Sequence, residues 1–312
     1  VPGEGSIHTI SKPAPQSFLI DNQIFSVSNP VYTMLTASLP ERTAQVTSDD
    51  YYFYHTIDLP GLGEMKGEWD LRNATDDYLG HISLTGKRVL EMGTANGFLS
   101  FYMEKQGASV VSYDLSPEND WDVVPFAHKD TTAWAPKRKN HIRKLNNAYR
   151  LSHKLLNSQA EFVQGTIYDI PETVGLVNVS TFGSILLHVR DPFLALEQAA
   201  RITQETIVIT EILDNSRQKL FNRLLGWLGN KTVRKIRHKF IGPSMIFRPN
   251  ASIGHPEETW WHLTPELLEQ FLGVLGFGDI RISYHEQFFA QHNRTQLMYT
   301  IVANRTVPMR TV

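Results

Sequence analysis

Apolar residues along this chain switch between two periods in a regular order. Arg88-Val89-Leu90 starts a short apolar run of the kind a buried parallel strand needs. Phe98, Phe101 and Tyr102 then recur at helical spacing, with Gly107 as the stop. Val110-Val111 forms the core of a second strand, which ends at Asp114. Further strands are predicted within 161–171, from Ser180 onward, over 206–211, and at 278–284 and 297–304. Asp191-Pro192 predicts a helix start, an N-cap followed by Pro at the first helical position. Leu194, Leu196, Ala199, Ala200 and Ile202 continue that helix. Thr264-Pro265 repeats the device, and Gly276 ends the second helix. Strands alternating with helices predict an α/β fold with a doubly wound sheet.

The stretch 87–115 organises the rest. Between its two strands lies Glu91-Met92-Gly93-Thr94-Ala95-Asn96-Gly97. Gly93 lets the backbone bend and lets a ligand approach where a Cβ would collide. In an open parallel sheet, ligands bind beyond the carboxyl ends of the strands, where strand order reverses. An acid such as Asp114 at that edge can accept both hydroxyls of a ribose. A dinucleotide site would need G-x-G-x-x-G; here the spacing is G-x-x-x-G and an acid opens the turn, which suits a cationic ligand better than a pyrophosphate.

Residues 1–50 are punctuated by Pro2, Pro13, Pro15, Pro30 and Pro40. The first 64 residues read as an extension packing on the core. Residues 51–59 are aromatic and β-prone. Residues 136–154 carry seven Lys/Arg and no acid, with an amphipathic helical period. That helix reads either as a solvated face or as one wall of an anionic site. Residues 217–248 carry nine Lys/Arg and no Asp or Glu beside an apolar face; they read as a cap over the site, a surface for membrane or RNA, or a solvated helix.

Composition is that of a globular protein, and a net charge of −2 implies no global attraction to nucleic acid or membrane. The absence of cysteine excludes disulfides, thiolate metal sites and cysteine nucleophiles. No apolar run approaches the ~20 residues of a membrane span, no signal-peptide pattern is seen, and a cytoplasmic location is expected.

Glu91-x-Gly93-x-x-x-Gly97, a helix, and Asp114 ending the next strand resemble motifs I and II of class I S-adenosylmethionine (SAM) methyltransferases. Ala95 stands where that family has its middle glycine. The resemblance covers about 65–304. It implies a Rossmann-like sheet of seven strands whose last pair is antiparallel, with a helical cap inserted at 215–262 between core segments 65–214 and 263–312. It implies SAM as cofactor. Glu91 and the turn Gly93, Thr94, Ala95, Asn96 and Gly97 would hold its methionine end, and Asp114, next to Leu115, its ribose. Thr166 would reach the adenine amine and the Ile167 amide a ring nitrogen; the family commonly has Asp where Thr166 stands. Trp69 and Arg72 are candidates for a lid over the cofactor, or a core anchor and a surface pair.

Leu186-Leu187-His188-Val189-Arg190-Asp191-Pro192 is similar to a signature after the fourth strand of one methyltransferase subgroup. Small-molecule enzymes share it with the enzyme that carboxymethylates a wobble uridine of tRNA. This edge faces the transferred methyl, so Ser184 is placed with the cofactor. His188 is the candidate base or substrate orienter, with a structural histidine as the alternative. Glu211, Arg248, Trp260, Trp261 and His262 are candidates for the acceptor pocket. The expected activity is methyl transfer by in-line displacement to a small polar or anionic metabolite, without metal. An RNA-modifying relative is the second reading and a non-catalytic scaffold the third. The acceptor atom and the oligomeric state stay open, a homo-oligomer included.

Overall fold

The computed structural model describes residues 17–20, 23–26 and 49–309, apart from 120, 131 and 214–241. Most of the predicted cap therefore lies outside the described residues. The chain divides into two units, 1–42 and 43–312. In the first, β1 (Ser17–Ile20) and β2 (Gln23–Ser26) form an antiparallel pair.

The second unit begins with the aromatic stretch and a small hairpin, β3 (Ile57–Leu59) with β4 (Gly63–Met65). Phe53, Ile57 and Leu59 are buried in its core. A single turn, α1 (Thr75–Tyr78), precedes β5 (Arg88–Met92), α2 (Phe98–Lys105) and β6 (Ser109–Asp114). The basic helix α3 (Ala135–Leu156) leads to β7 (Glu161–Gln164) and β8 (Val177–Gly183). Then come α4 (Pro192–Ile202) and β9 (Thr203–Ile212). A short pair, β10 (Met245–Phe247) and β11 (Trp261–Leu263), precedes α5 (Pro265–Val274), β12 (Phe277–Phe289) and β13 (Arg294–Arg305).

Seven strands form one sheet in the order β7-β6-β5-β8-β9-β13-β12. The first five run parallel, while β13 is antiparallel to both β9 and β12. Strand order therefore reverses at β5, and the carboxyl ends of β5, β6 and β8 surround that point. Successive side chains feed opposite faces. Leu90, Met92 and Val111 join one core with Leu196 of α4 and Leu268 of α5. Val89, Val110 and Val179 join the other with Leu99 of α2 and Tyr149 of α3. The predicted caps are present: Asp191 accepts from the Leu194 amide and Thr264 from the Leu267 amide. In α3 the apolar stripe turns inward and Lys137, Lys139, Arg143 and Arg150 are exposed. Arg138 is the exception, buried among aromatic rings.

Candidate functional site

A cavity of about 320 Å³ opens at the carboxyl edge of the parallel strands. Gly93, Ala95, Asp114, Leu115, Thr166, Ile167, Ser184 and His188 all line it. These eight come from four loops that the topology brings to one edge, as expected for a switch point.

The turn after β5 is shaped by left-handed backbone. Gly93, Ala95 and Gly97 have φ of 80°, 52° and 85°. A Cβ on Gly93 would lie 3.1 Å from Ile185 Cδ1, so the missing side chain keeps that wall open. Ala95 carries a Cβ in a region that disfavours it, at roughly 1–2 kcal/mol. Asp114 holds it there: its Oδ2 accepts from the Ala95 amide at 2.7 Å, and its Oδ1 from the Leu115 amide at 2.7 Å. Each carboxylate oxygen keeps acceptor capacity on the cavity side of these bonds. Burial pushes the Asp114 carboxyl up to about 6, against the pull of its two amide partners.

Glu91 does not line this cavity. It is 2% exposed, and its Oε2 accepts from the Thr94 hydroxyl at 2.9 Å and from the Ser100 hydroxyl. Ser100 continues to Ser112, and Ser112 to the Tyr149 hydroxyl. Glu91 thus knots the turn to α2, β6 and α3 from beneath. Thr94 is part of that knot. Asn96 faces away as well: it exchanges two hydrogen bonds with the His55 backbone, at 2.7 and 3.0 Å. Gly97 caps α2, and a Cβ there would meet Phe101 at 2.4 Å. Glu91, Thr94, Asn96 and Gly97 build the cradle, while Gly93 and Ala95 form its surface.

Trp69 and Arg72 do not reach the cavity either. Trp69 stacks on Phe289 at 4.4 Å in the core. Arg72 pairs with Asp58, Glu64 and Asp70 on the hairpin side. From the same part of the chain, Tyr54 and Glu68 line the cavity, and Glu68 accepts from the Tyr52 hydroxyl.

His188 follows a short turn held by Glu211. The buried Glu211 carboxylate accepts from the Leu186 amide at 2.9 Å, and burial pushes it up to about 8. His188 Nδ1 lies 2.7 Å from the Glu258 carbonyl oxygen. A carbonyl only accepts, so Nδ1 carries the proton and Nε2 keeps its lone pair. Burial lowers the His188 pKa, so the ring stays neutral. Nε2 has no hydrogen-bond partner among the described residues.

The expected acceptor residues sit behind this wall. Trp260 is buried and donates Nε1–H to the Asp122 carbonyl at 2.9 Å. Trp261 donates to the Arg190 carbonyl at 3.1 Å. The Arg248 amide bonds the Trp260 carbonyl, and His262 pairs with Ile246 across β10 and β11. This strap presents Glu258 to the cavity, next to Trp121, Asp122, Tyr168 and His141. Sequence reading passed over these residues because they lie outside any motif. The aromatic density of 51–59 and the inward face of α3 were the signals available.

No family model matches the sequence, and no curated protein matches it. Among solved structures, the chain is similar to the N-terminal domain of EvdMO1 with SAH and D-fucose present. The TM-score is 0.48, with 17% identity over 82% of this chain and 91% of that one. It is also similar to magnesium protoporphyrin IX methyltransferase from Synechocystis PCC 6803 with bound SAH. There the TM-score is 0.46, with 13% identity over 75% of this chain and 83% of that one. A third is the 1,6-didemethyltoxoflavin-N1-methyltransferase of Burkholderia thailandensis, at 0.43 and 13% over 76% and 78%.

Proposed function

We propose that this chain is a SAM-dependent methyltransferase acting on a small polar acceptor. The observation that carries the reading is the clamp between Asp114 and the Ala95 amide at the mouth of the cavity. It places a carboxylate with spare lone pairs beside a glycine turn that has no side chain in the way. Asp114 would take the ribose hydroxyls, Gly93 and Ala95 the methionine end, and Thr166 and Ile167 the adenine. A concave cavity of this size, with polar groups converging on it from several loops, fits a small-molecule site.

SAM supplies a methyl group already activated on a sulfonium. The protein's share is orientation and exclusion of water, worth roughly 7–11 kcal/mol in well-aligned cases. His188 Nε2 would accept the proton of an acceptor hydroxyl as its oxygen takes the methyl. With SAM bound, the methyl would leave sulfur for that oxygen, and the proton would rest on the His188 imidazole. The Glu258 carbonyl keeps Nδ1–H donated, so the lone pair stays on the atom that needs it.

The basic tracts motivated an anionic acceptor or RNA. Most of 217–248 lies outside the described residues. Among the described residues, the lining has Glu68, Asp114, Asp122 and Glu258 and neither Lys nor Arg. That wall supports a neutral or cationic acceptor better than an anion or a nucleic acid backbone.

Calorimetry with S-adenosylhomocysteine is the test. Micromolar binding is expected, weakened by a few kcal/mol in Asp114→Ala, as for a pair of charge-assisted hydrogen bonds. Wild-type affinity in that variant would reject the ribose assignment, and no binding to the wild type would reject the cofactor.

A further inference from the structure

The end of the cavity around His188 has a chemistry of its own. Trp121, Tyr168 and His141 present rings to it, and Glu68, Asp122 and Glu258 line it as well. We infer that the acceptor carries a protonated amine on a flat apolar body. This rests on the methyltransferase reading above and names its substrate class.

Positive charge near this end is already engaged elsewhere. Arg138 Nη2 lies 3.0 Å from Glu258 Oε1. Its guanidinium sits 5.3 Å from the Trp121 ring and 5.7 Å from the Trp134 ring, outside the cavity lining. Arg190 lies over Trp260 at 4.9 Å, and Lys129 pairs with Glu257. Among the described residues, Glu258 therefore has a cation, and Glu68 and Asp122 have none. Asp122 accepts from the Tyr168 hydroxyl and from the Arg190 amide at 2.7 Å. Glu68 has the Tyr52 hydroxyl.

A half-buried carboxylate with only a hydroxyl for company is incompletely compensated, because desolvation disfavours its charge. The Glu68 pKa is raised by burial first and by the Glu258 carboxylate second, so the two acids repel each other through the cavity. A cation between them relieves that repulsion. The aromatic faces act in the same sense, since a ring quadrupole attracts an ammonium. A carboxylate or phosphate placed there would meet like charge, and among the described residues the lining offers neither Lys nor Arg. The amine is the recognition group; His188 serves a separate hydroxyl on the same molecule.

Two probes that differ chiefly in charge test this. Tyramine and 3-(4-hydroxyphenyl)propionate share a phenol and a two-carbon chain, ending in ammonium or carboxylate. Each is titrated at pH 7 into the full chain saturated with S-adenosylhomocysteine, following tryptophan fluorescence and calorimetry. Tyramine should bind about tenfold tighter or more, tenfold being about 1.4 kcal/mol. Glu68→Gln should remove most of that preference and leave S-adenosylhomocysteine affinity unchanged. Equal or tighter binding of the carboxylate, or no binding of tyramine at millimolar concentration, overturns the inference. So does a parallel loss of both affinities in the variant, which would place Glu68 at the cofactor. If S-adenosylhomocysteine itself fails to bind, the methyltransferase reading falls, and the contrast between the probes still decides the charge preference.

Discussion

Replacing Glu91 by Gln should change how stability depends on pH. Glu91 is buried beneath the glycine turn, and burial pushes its carboxyl from an ordinary 4.5 up to about 8. Its hydroxyl partners Ser100 and Thr94 pull the other way without offsetting the burial. Between those two values the folded chain keeps a proton that the unfolded chain has released. The contribution is therefore complete below pH 4.5 and is lost progressively as pH rises toward 8. One unit of pKa is worth about 1.4 kcal/mol, so the full window amounts to several kcal/mol. Gln keeps the shape and cannot ionise. Urea unfolding at pH 5, 6, 7 and 8 should show the wild type losing stability relative to Glu91→Gln as pH rises. The Glu91→Gln profile should be flatter by roughly 1 kcal/mol per pH unit. Glu211, also pushed up to about 8 by burial, contributes a slope of the same sign that Glu211→Gln should remove. Parallel profiles for wild type and Glu91→Gln would refute the reasoning, because they require a Glu91 that ionises equally in both states.

Gly165→Ala should disturb the loop proposed to lie along the adenine. A Cβ there would lie 2.1 Å from the Tyr113 hydroxyl, which donates to the Thr166 carbonyl at 2.9 Å, and the Tyr113 side chain is too buried to step aside. Overpacking of this kind costs about 1–3 kcal/mol. Urea melts should show that loss and calorimetry a weaker S-adenosylhomocysteine affinity; wild-type values in both would place the loop elsewhere. His188→Gln should leave S-adenosylhomocysteine binding intact and lower turnover about 100-fold or more. Because burial lowers the His188 pKa below its ordinary 6.5, wild-type turnover should stay level as pH falls to 6.5 and drop only below it. Unchanged turnover in the variant would make His188 structural.

What the sequence by itself determined is local. The strand starting at 88–90, the one centred on Val110-Val111, the glycine turn between them, the acid at Asp114 and the two caps were all legible, because each rests on neighbouring residues; the first strand in fact runs on through Glu91 and Met92. Strand period, positive φ at glycine and N-cap hydrogen bonds act over a few positions. Several motif residues were legible in kind but not in direction. Glu91, Thr94 and Asn96 belong to the turn, yet their side chains point beneath it, toward Ser100 and the His55 backbone. Trp69 and Arg72 stand in the expected segment, but core stacking and three acids on the hairpin side claim them. Which residues surround His188 in the cavity was decided by tertiary structure. Glu68, Trp121, His141, His188 and Glu258 are separated by up to 190 residues and share no motif. Burial forces them to one edge of the sheet, because the apolar faces of α3 and of the strap must pack there. A motif can announce a cofactor from a short stretch of chain. The charge of a pocket is the sum over all segments that meet in it, and only the fold decides which segments meet.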